Sequence, residues 1–293
     1  MYQTLSKLLV IDGMALLFRH FFATSFSKQF FYNKYDQPTN GVQGTIRHIY
    51  KAIEIIHPEK IIIAWDMGSK TVRTEWYGDY KSNRPPPPEE LIPQFDLVKD
   101  VLNDLGFYQI GITGYEADDI IGTIAKKYSQ TIIISGDKDL LQVINSYNEL
   151  WLTKKGFTEY DIYDYERFKN EYSITPEQFI DVKALMGDSG DGYFGVSGIG
   201  EKTALKLIQK HDTLDNILNN LDSLTTRQRE NILKDYDHLI LSRRLAEIIT
   251  DVPVNVSDII EFSDFSYDIE RQLDVLKNYD LTISKRYVES LDL

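Results

Sequence analysis

The fold is indicated by one short stretch, "KIIIAWD" at residues 60–66, in which five apolar residues separate a lysine from Asp66. A continuous apolar, β-branched run of this length is typical of a strand buried on both faces of a parallel sheet. Two similar stretches, "KLLVID" at 7–12 and "TIIISGD" at 131–137, end in Asp12 and Asp137. We therefore expect three buried strands, each with an aspartate at its carboxyl end.

The segments between these strands have helical periodicity, which predicts helices at about 44–57, 91–106 and 117–128, and another strand at 107–112. Strands that alternate with helices indicate an α/β fold with a mostly parallel central sheet and helices on both faces. Active sites of such sheets lie beyond the carboxyl ends of the strands. The three aspartates and the turn before Glu116 are therefore expected to meet there.

Composition shifts suggest two domains. Residues 1–173 form the predicted α/β domain, interrupted at about 70–95 by a basic, aromatic segment whose four prolines exclude helix interior and central strand. Residues 174–293 are predicted to be a mainly helical subdomain packed on the first, with a possible strand near 252–256. A glycine-rich turn opens a helix within about 187–211.

The chain has 293 residues, no cysteine and a formal net charge of −13. It has neither a signal-peptide pattern nor an apolar run long enough to span a membrane, so we expect a cytoplasmic, soluble protein without a membrane partner. Its acidity disfavours bulk nucleic-acid affinity but allows a local basic patch. It also allows a carboxylate cluster that cations neutralise.

Carboxylates recur where predicted elements begin or end. They would repel one another unless protons, cations or basic partners were supplied. Mg²⁺ and Mn²⁺ take such oxygen ligands, and two of these ions can activate a water and stabilise a leaving phosphate oxygen. The candidate ligands are Asp12, Asp66, Glu116, Asp118, Asp119, Asp137, Asp139, Asp188 and Asp191.

Taken singly, several of these acids have ordinary explanations. Asp118 and Asp119 suit the first turn of a helix. Asp137 and Asp139 suit a helix cap, and the acids of "GDSGDG" suit a turn. Metal binding is the better explanation of the whole set, because acids end several separate strands on the ligand-binding side of the sheet.

Seven motifs in order resemble the 5′–3′ exonuclease and flap endonuclease family, particularly the nuclease domain of bacterial DNA polymerase I and its stand-alone bacterial and phage relatives. The resemblance covers about residues 5–250, and the length suggests a stand-alone member. A departure from the family pattern follows Asp191, where this chain has Gly192 and Phe194. The motifs are "VIDGMALLFR", "IIIAWD", "VRTEWYGDYKSNRPPPPEEL", "GYEADDIIGTIA", "IISGDKDLLQ", "KALMGDSGD" and "GVSGIGEKTA".

The resemblance implies two divalent-cation sites. It assigns Asp12, Asp66, Glu116 and Asp118 to the first. It assigns Asp137, Asp139 and Asp191 to the second, with Asp118 shared. Asp119 and Asp188 match additional carboxylates that often bind through water.

The resemblance also implies roles for basic and aromatic residues. Lys81 and Arg84 would lie in an arch and contact the scissile phosphate, although loop lysines and arginines are usually only solvated. Arg19 is a candidate catalytic residue together with Lys81 and Arg84, and it is expected to need a carboxylate or phosphate partner because it lies in an apolar stretch. We predict that Tyr80 stacks on unpaired bases and that Arg73 contacts DNA.

The glycine-rich turn resembles the helix–turn–helix with which this family grips duplex DNA. Gly198, Gly200, Lys202 and Thr203 would bind a phosphate there, without reading sequence. Backbone carbonyls of Val196 and Ile199 would hold a K⁺ ion. A tight turn without a ligand is the simpler explanation.

The predicted function is a metal-dependent 5′–3′ exonuclease and 5′-flap endonuclease. Its expected partner is branched or nicked duplex DNA with a free 5′ end, with or without an RNA primer, and the protein is expected to be a monomer. A phosphatase of the haloacid dehalogenase type is disfavoured because Met14, not an aspartate, follows Asp12 by two positions. A DNA-structure binder without catalysis is the other alternative.

Overall fold

The computed structural model describes residues 6–292 and contains a six-stranded central sheet with the spatial order β3-β2-β1-β4-β5-β6. β1 to β5 are parallel, and β6 runs antiparallel to β5 at the edge. The strands are β1 (Leu8–Asp12), β2 (Lys60–Ala64), β3 (Tyr108–Ile110), β4 (Thr131–Ser135), β5 (Asn148–Thr153) and β6 (Tyr160–Tyr163).

Alternation along β1 shows why both faces of the sheet are covered. Leu8 and Val10 belong to one hydrophobic core cluster, and Leu9 and Ile11 belong to the other. Side chains of a strand point alternately to opposite faces, so each face needs its own layer of helices. This arrangement confirms the predicted α/β fold, a mostly parallel sheet with helices on both faces.

The helices of the first half lie between the strands, and the second half is mainly helical. A two-stranded hairpin, β7 (Gly187–Asp188) and β8 (Tyr193–Phe194), interrupts the helical part. No helix within residues 6–292 is long and apolar enough to cross a membrane. The helices are α1 (Gly13–Ser25), α2 (Asn40–Ile56), α3 (Val72–Trp76), α4 (Ile92–Asp104), α5 (Ala117–Lys127), α6 (Tyr165–Tyr172), α7 (Phe179–Met186), α8 (Glu201–His211), α9 (Leu214–Asn219), α10 (Thr226–Lys234), α11 (Tyr236–Ala246), α12 (Val256–Glu261), α13 (Ile269–Asn278) and α14 (Thr282–Val288).

The structure differs from the sequence-based expectation at several elements. Strands β5 and β6 and helix α6 were not predicted, and the strand expected near 252–256 does not form. The last helices also return to the sheet: α13 packs against α4, and α14 packs against α2. The predicted helical subdomain, 174–293, therefore ends in a segment that completes the core of the sheet-containing part.

The chain reverses its direction of travel across the sheet at β1. From β1 it proceeds to β2 and β3 on one side, and then crosses back to β4 and β5 on the other. A crevice forms at the carboxyl ends where neighbouring strands lead to opposite sides. This topology brings the residues that follow β1, β2 and β4 to one edge of the sheet.

Candidate metal centre and duplex-binding turn

Asp12 is fixed at the carboxyl end of β1, where it also caps helix α1. Its Oδ1 accepts a hydrogen bond from the backbone N–H of Ala15 at 2.9 Å, and its Oδ2 accepts one from Ser135 Oγ at 2.8 Å. The first bond is the usual N-cap interaction, and the second ties β1 to the end of β4. Asp12 is buried, with 6% of its surface exposed.

Asp66 joins the end of β2 to the start of α5. Its Oδ1 accepts a hydrogen bond from the backbone N–H of Ala117 at 2.8 Å. Helix α5 begins there, with Glu116 as its N-cap and Asp118 in its first turn. The same local geometry that starts the helix therefore places Glu116 and Asp118 beside Asp66.

These acids face one cleft of about 850 Å³ at the carboxyl edge of the sheet. Acidic residues and two cations, Lys81 and Arg84, line it. The predicted ligands that the structure brings together in this cleft are Asp12, Asp66, Glu116, Asp118 and Asp137.

Electrostatic repulsion between these acids indicates a site for cations. Burial, together with the charges of Asp66 and Asp137, raises the pKa of Asp12 to about 6, against two hydrogen bonds that lower it. Burial also raises the pKa of Asp118 well above its ordinary value, with Asp137 adding to the effect. A divalent cation would relieve this repulsion, and a donor set made only of oxygen suits Mg²⁺ or Mn²⁺.

The side chains of the protein alone would supply only part of the coordination shell of an ion. Within residues 6–292, no three acidic or histidine side chains converge closely enough to enclose a metal ion. Magnesium sites usually use one or two carboxylates, with waters and substrate phosphates completing the shell. The cleft suits that kind of open site better than a closed protein cage.

A second acidic group surrounds Lys183, a residue for which the sequence prediction gave no role. Its Nζ lies 2.6 Å from Asp139 Oδ1 and 2.5 Å from Asp188 Oδ2, and its side chain is only 8% exposed. Burial and the charge of Asp137 raise the pKa of Asp139 to about 6, although Lys183 lowers it. For Asp188, the contacts with Lys183 outweigh burial and lower the pKa. One buried ammonium therefore holds two predicted ligands.

Lys81 and Arg84, from the middle of the 70–95 segment, line the cleft. Lys81 Nζ donates to Glu116 Oε2 at 2.8 Å, and Arg84 Nη2 donates to Asp191 Oδ1 at 2.6 Å. The backbone N–H of Lys81 also donates to the Asp191 carbonyl at 2.8 Å. These contacts place two cations beside the predicted ligands, where a phosphate of a substrate could meet them.

Arg73 and Asp119 lie outside the cleft, which corrects two predictions. Arg73 is 2% exposed, and both its Nη atoms donate to Asp119 at 2.8 Å. The carboxylate of Asp119 is fully buried and also accepts the backbone N–H groups of Glu116 and Ile249. Arg73 is therefore not available to DNA, and Asp119 has no free oxygen for a metal.

Two further predictions need correction. Tyr80 is 5% exposed, and its hydroxyl donates to Asp191 at 3.1 Å and Glu116 at 3.3 Å, so its ring is not displayed for stacking on bases. Arg19 is half-buried and does not line the cleft. Its charge acts to lower the pKa values of Tyr160 and His48, which lie near it. This placement does not support a direct catalytic role for Arg19.

The glycine-rich turn leads from β8 into helix α8. Gly198 has a φ of +76°, which favours glycine, and Gly200 is the N-cap of the helix. Gly198, Gly200 and Lys202 are exposed, and Thr203 is half-buried in the first turn. The predicted phosphate contacts are therefore together at an accessible helix N-terminus.

The two residues predicted to hold K⁺ lie within this turn, and their side chains are buried. Val196 and Ile199 are both 4% exposed, and the backbone N–H of Ile199 donates to the Val196 carbonyl at 3.0 Å. The backbone N–H of Ser197 donates to Asp235 Oδ2 at 2.7 Å, and Asn231 Nδ2 donates to the Ser197 carbonyl at 2.6 Å. The turn is thus held by side chains at the junction of α10 and α11.

Two family models match the chain in succession. The model of a 5′–3′ exonuclease N-terminal resolvase-like domain matches residues 7–173, and that of a 5′–3′ exonuclease C-terminal SAM fold matches residues 174–267. The chain is 44% identical over 290 residues to a 5′–3′ exonuclease of Bacillus subtilis, a match that covers 98% of this chain and 97% of that protein. It is 38% identical over 255 residues to DNA polymerase I of Streptococcus pneumoniae, covering 85% of this chain but 29% of the polymerase.

Solved structures show the same fold. The 5′-exonuclease of bacteriophage T5 with bound zinc superimposes with a TM-score of 0.68 at 25% identity, over 97% of this chain and 98% of that chain. The catalytic core of Rad2 in complex with a DNA substrate gives a TM-score of 0.63 at 15% identity, over 98% of this chain and 93% of that chain. At 15% identity, the similarity to Rad2 concerns the fold alone.

Proposed function

Because the chain belongs to the 5′–3′ exonuclease family, we propose that it is a structure-specific 5′ nuclease that acts as both an exonuclease and a 5′-flap endonuclease. It is a DNA-binding, metal-dependent phosphodiester hydrolase. The observation that carries the proposal is the cleft, which is lined by acids from three separate strand ends and the start of α5 together with Lys81 and Arg84.

The proposed substrate is branched or nicked duplex DNA with a free 5′ end, including an RNA-primed end. Removal of such ends is part of Okazaki fragment processing and of DNA repair. The exposed turn at Gly198 and Lys202 supports duplex binding, because backbone N–H groups at a helix N-terminus bind phosphates whatever the base sequence.

The proposed cofactors are two divalent cations, Mg²⁺ or Mn²⁺, one in the cleft and one at its border. The first would be held by Asp12, Asp66, Glu116 and Asp118, and the second by Asp137, Asp139 and Asp191, with Asp188 contributing through water. Bound divalent ions supply Lewis acidity and lower the pKa of a bound water. Hydrolysis would leave a 5′ phosphate on the product.

The chain's own cations have a separate role. Lys81 and Arg84 themselves line the cleft, where Lys81 contacts Glu116 and Arg84 contacts Asp191, so they lie within reach of a phosphate placed there. Fixed cations beside a transferring phosphoryl group stabilise the charge on its equatorial oxygens. We assign these two residues to transition-state stabilisation.

Three finer points belong to the same proposal. The carbonyls of Val196 and Ile199 would bind K⁺ when the turn contacts DNA. The protein would act as a monomer, and it would act in the cytoplasm. Light scattering on the purified protein tests the second point, because a dimer would double the mass expected from a 34.0 kDa chain.

The proposal is tested with a 5′-labelled flap, a nicked duplex and a duplex with a blocked 5′ end, each incubated with Mg²⁺ or EDTA. We expect Mg²⁺-dependent cleavage of the first two substrates and little cleavage of the third. Binding without cleavage would indicate a catalytically inactive DNA-structure binder. Hydrolysis of a phosphate monoester but not of the flap would indicate a phosphatase.

A further inference from the structure

The ion pair between Arg73 and Asp119 does more than fill a buried space. Arg73 lies in α3, at the base of the 70–95 segment, and Asp119 lies in the first turn of α5. Asp119 Oδ2 accepts the backbone N–H of Glu116 at 3.0 Å, so it fixes the helix start that carries Glu116 and Asp118. The pair thus holds cleft residues without lining the cleft.

The same pair binds the backbone that leaves α11. Arg73 Nε donates to the Leu245 carbonyl at 3.0 Å, and Arg73 Nη2 donates to the Glu247 carbonyl at 2.6 Å. Asp119 Oδ1 accepts the backbone N–H of Ile249 at 2.9 Å. The backbone groups of residues 245, 247 and 249 therefore all form hydrogen bonds with one buried ion pair.

Gln142 forms hydrogen bonds with the backbone of the two remaining residues of this segment, Ala246 and Ile248. Its Nε2 donates to the Ala246 carbonyl at 3.0 Å, and its Oε1 accepts the backbone N–H of Ile248 at 2.8 Å. We call the three side chains Arg73, Asp119 and Gln142, together with segment 245–249, the clamp. Five consecutive residues are held by side chains from the sheet-containing part, which leaves this segment little freedom to shift.

Helix α11 connects the clamp to the duplex-binding turn. Asp235, which precedes the helix, accepts a hydrogen bond from the backbone N–H of Ser197 at 2.7 Å. Ser242 Oγ, on the helix, donates to the Phe194 carbonyl at 2.5 Å. The helix has 11 residues. A helix of that length is a rigid spacer of about 16 Å. The turn, the helix, the clamp and the start of α5 form one continuous chain of contacts.

We propose that the clamp fixes the distance between the duplex-binding turn and the acidic cleft, and so selects which phosphodiester is cut. This inference rests on the proposed nuclease function. Arg73, Asp119 and Gln142 are positioning residues, since none of them lines the cleft. Successive phosphates are equivalent in chemistry, so the choice among them depends on where the duplex is held.

The test is a map of cleavage positions at single-nucleotide resolution on a 5′-labelled flap with Mg²⁺. The variants are Arg73→Lys, Asp119→Asn and Gln142→Ala, of which the last leaves the buried ion pair intact and keeps the test possible if the others fold poorly. A misplacement of about 1 Å can slow a reaction about 100-fold. We therefore expect a weaker main product and new products one nucleotide longer and shorter.

Lys60→Gln is the matched control. Lys60 also joins the sheet to a late part of the chain, because its Nζ donates to the Ile260 carbonyl at 2.9 Å and pairs with Asp264, but it lies at the amino end of β2. This variant should keep the wild-type cleavage position. A purely structural role for the clamp would lower stability and total product in its variants while leaving the cleavage position unchanged.

A cleavage position that stays unchanged in all folded clamp variants would overturn the proposal. The same shift in Lys60→Gln would also overturn it, because the position would then depend on general loosening. Absence of cleavage by the wild-type protein would instead refute the proposed function, so the two failures are distinguishable.

Discussion

Replacing Lys183 with methionine tests whether the second acidic group is a cation site. The Lys183 side chain is 8% exposed, and its ammonium contacts Asp139 at 2.6 Å and Asp188 at 2.5 Å, whose side chains are 19% and 26% exposed. Methionine keeps most of the volume, so the main loss is charge. Removing one partner of a buried ion pair costs about 3–5 kcal/mol, and the partial solvation of both acids favours the lower end, ~3 kcal/mol.

A divalent cation should replace most of the lost charge. We expect Lys183→Met to lower the free energy of unfolding by about 3 kcal/mol in EDTA but by only ~1 kcal/mol in saturating Mg²⁺, since a ligand that binds the folded state stabilises it. Urea unfolding of both proteins in both buffers gives the four values, and the difference of differences is the measure.

The control is Lys285→Met, which removes an exposed pair with Glu289 one helical turn away. Surface pairs of this kind contribute about 0.5 kcal/mol or less, with or without Mg²⁺. An equal loss of stability in EDTA and Mg²⁺ for Lys183→Met would show that no divalent cation acts on Asp139 and Asp188. The assignment of these acids to a metal site would then be wrong.

Three other predictions concern acid stability, catalysis and duplex binding. Burial lowers the pKa of His20 to about 2 and of His48 to about 3, so below pH 6.5 the unfolded chain binds protons that the folded chain does not. The free energy of unfolding should therefore fall as pH drops from about 6.5, by up to ~1.4 kcal/mol per pH unit for each histidine, and His48→Phe should show a shallower decline in urea unfolding between pH 7.5 and 5. Lys81→Ala should slow single-turnover cleavage by about 100-fold while changing DNA affinity little; a loss confined to affinity would contradict its assigned role. Gly198→Ala should weaken duplex binding, because φ of +76° costs alanine about 1–2 kcal/mol; unchanged anisotropy titrations would exclude this turn as a contact.

The strand-end acids could be predicted because their positions follow from topology. A buried parallel strand reads as a continuous apolar run, and the residue after it must lie at the carboxyl edge of the sheet. The positions of Asp12 and Asp66 could therefore be predicted without knowing which side chains they contact. Strand β5 was missed because "NELWLT" mixes polar and apolar residues, although its burial alternates as in a half-covered strand.

The clamp could not be read from local sequence, because its ion pair joins residues 46 positions apart. An acid in the first turn of a helix looks the same whether it binds a metal, a helix dipole or a distant guanidinium. Lys183 did leave a signal: it interrupts the apolar run "FIDVKALM", and a lysine in such a run needs a partner. The same reasoning had singled out Arg19, where the structure gave a different answer.

The central claim is that the acidic cleft is a divalent-metal centre that cuts DNA. The most direct measurement compares wild-type protein with Asp118→Asn for single-turnover cleavage of a 5′-labelled flap in Mg²⁺, and for binding of the same flap. The account predicts a loss of at least about 100-fold in cleavage rate, with binding weakened far less, because the substitution removes one charge from the ligand set. Cleavage by Asp118→Asn at the wild-type rate would contradict it.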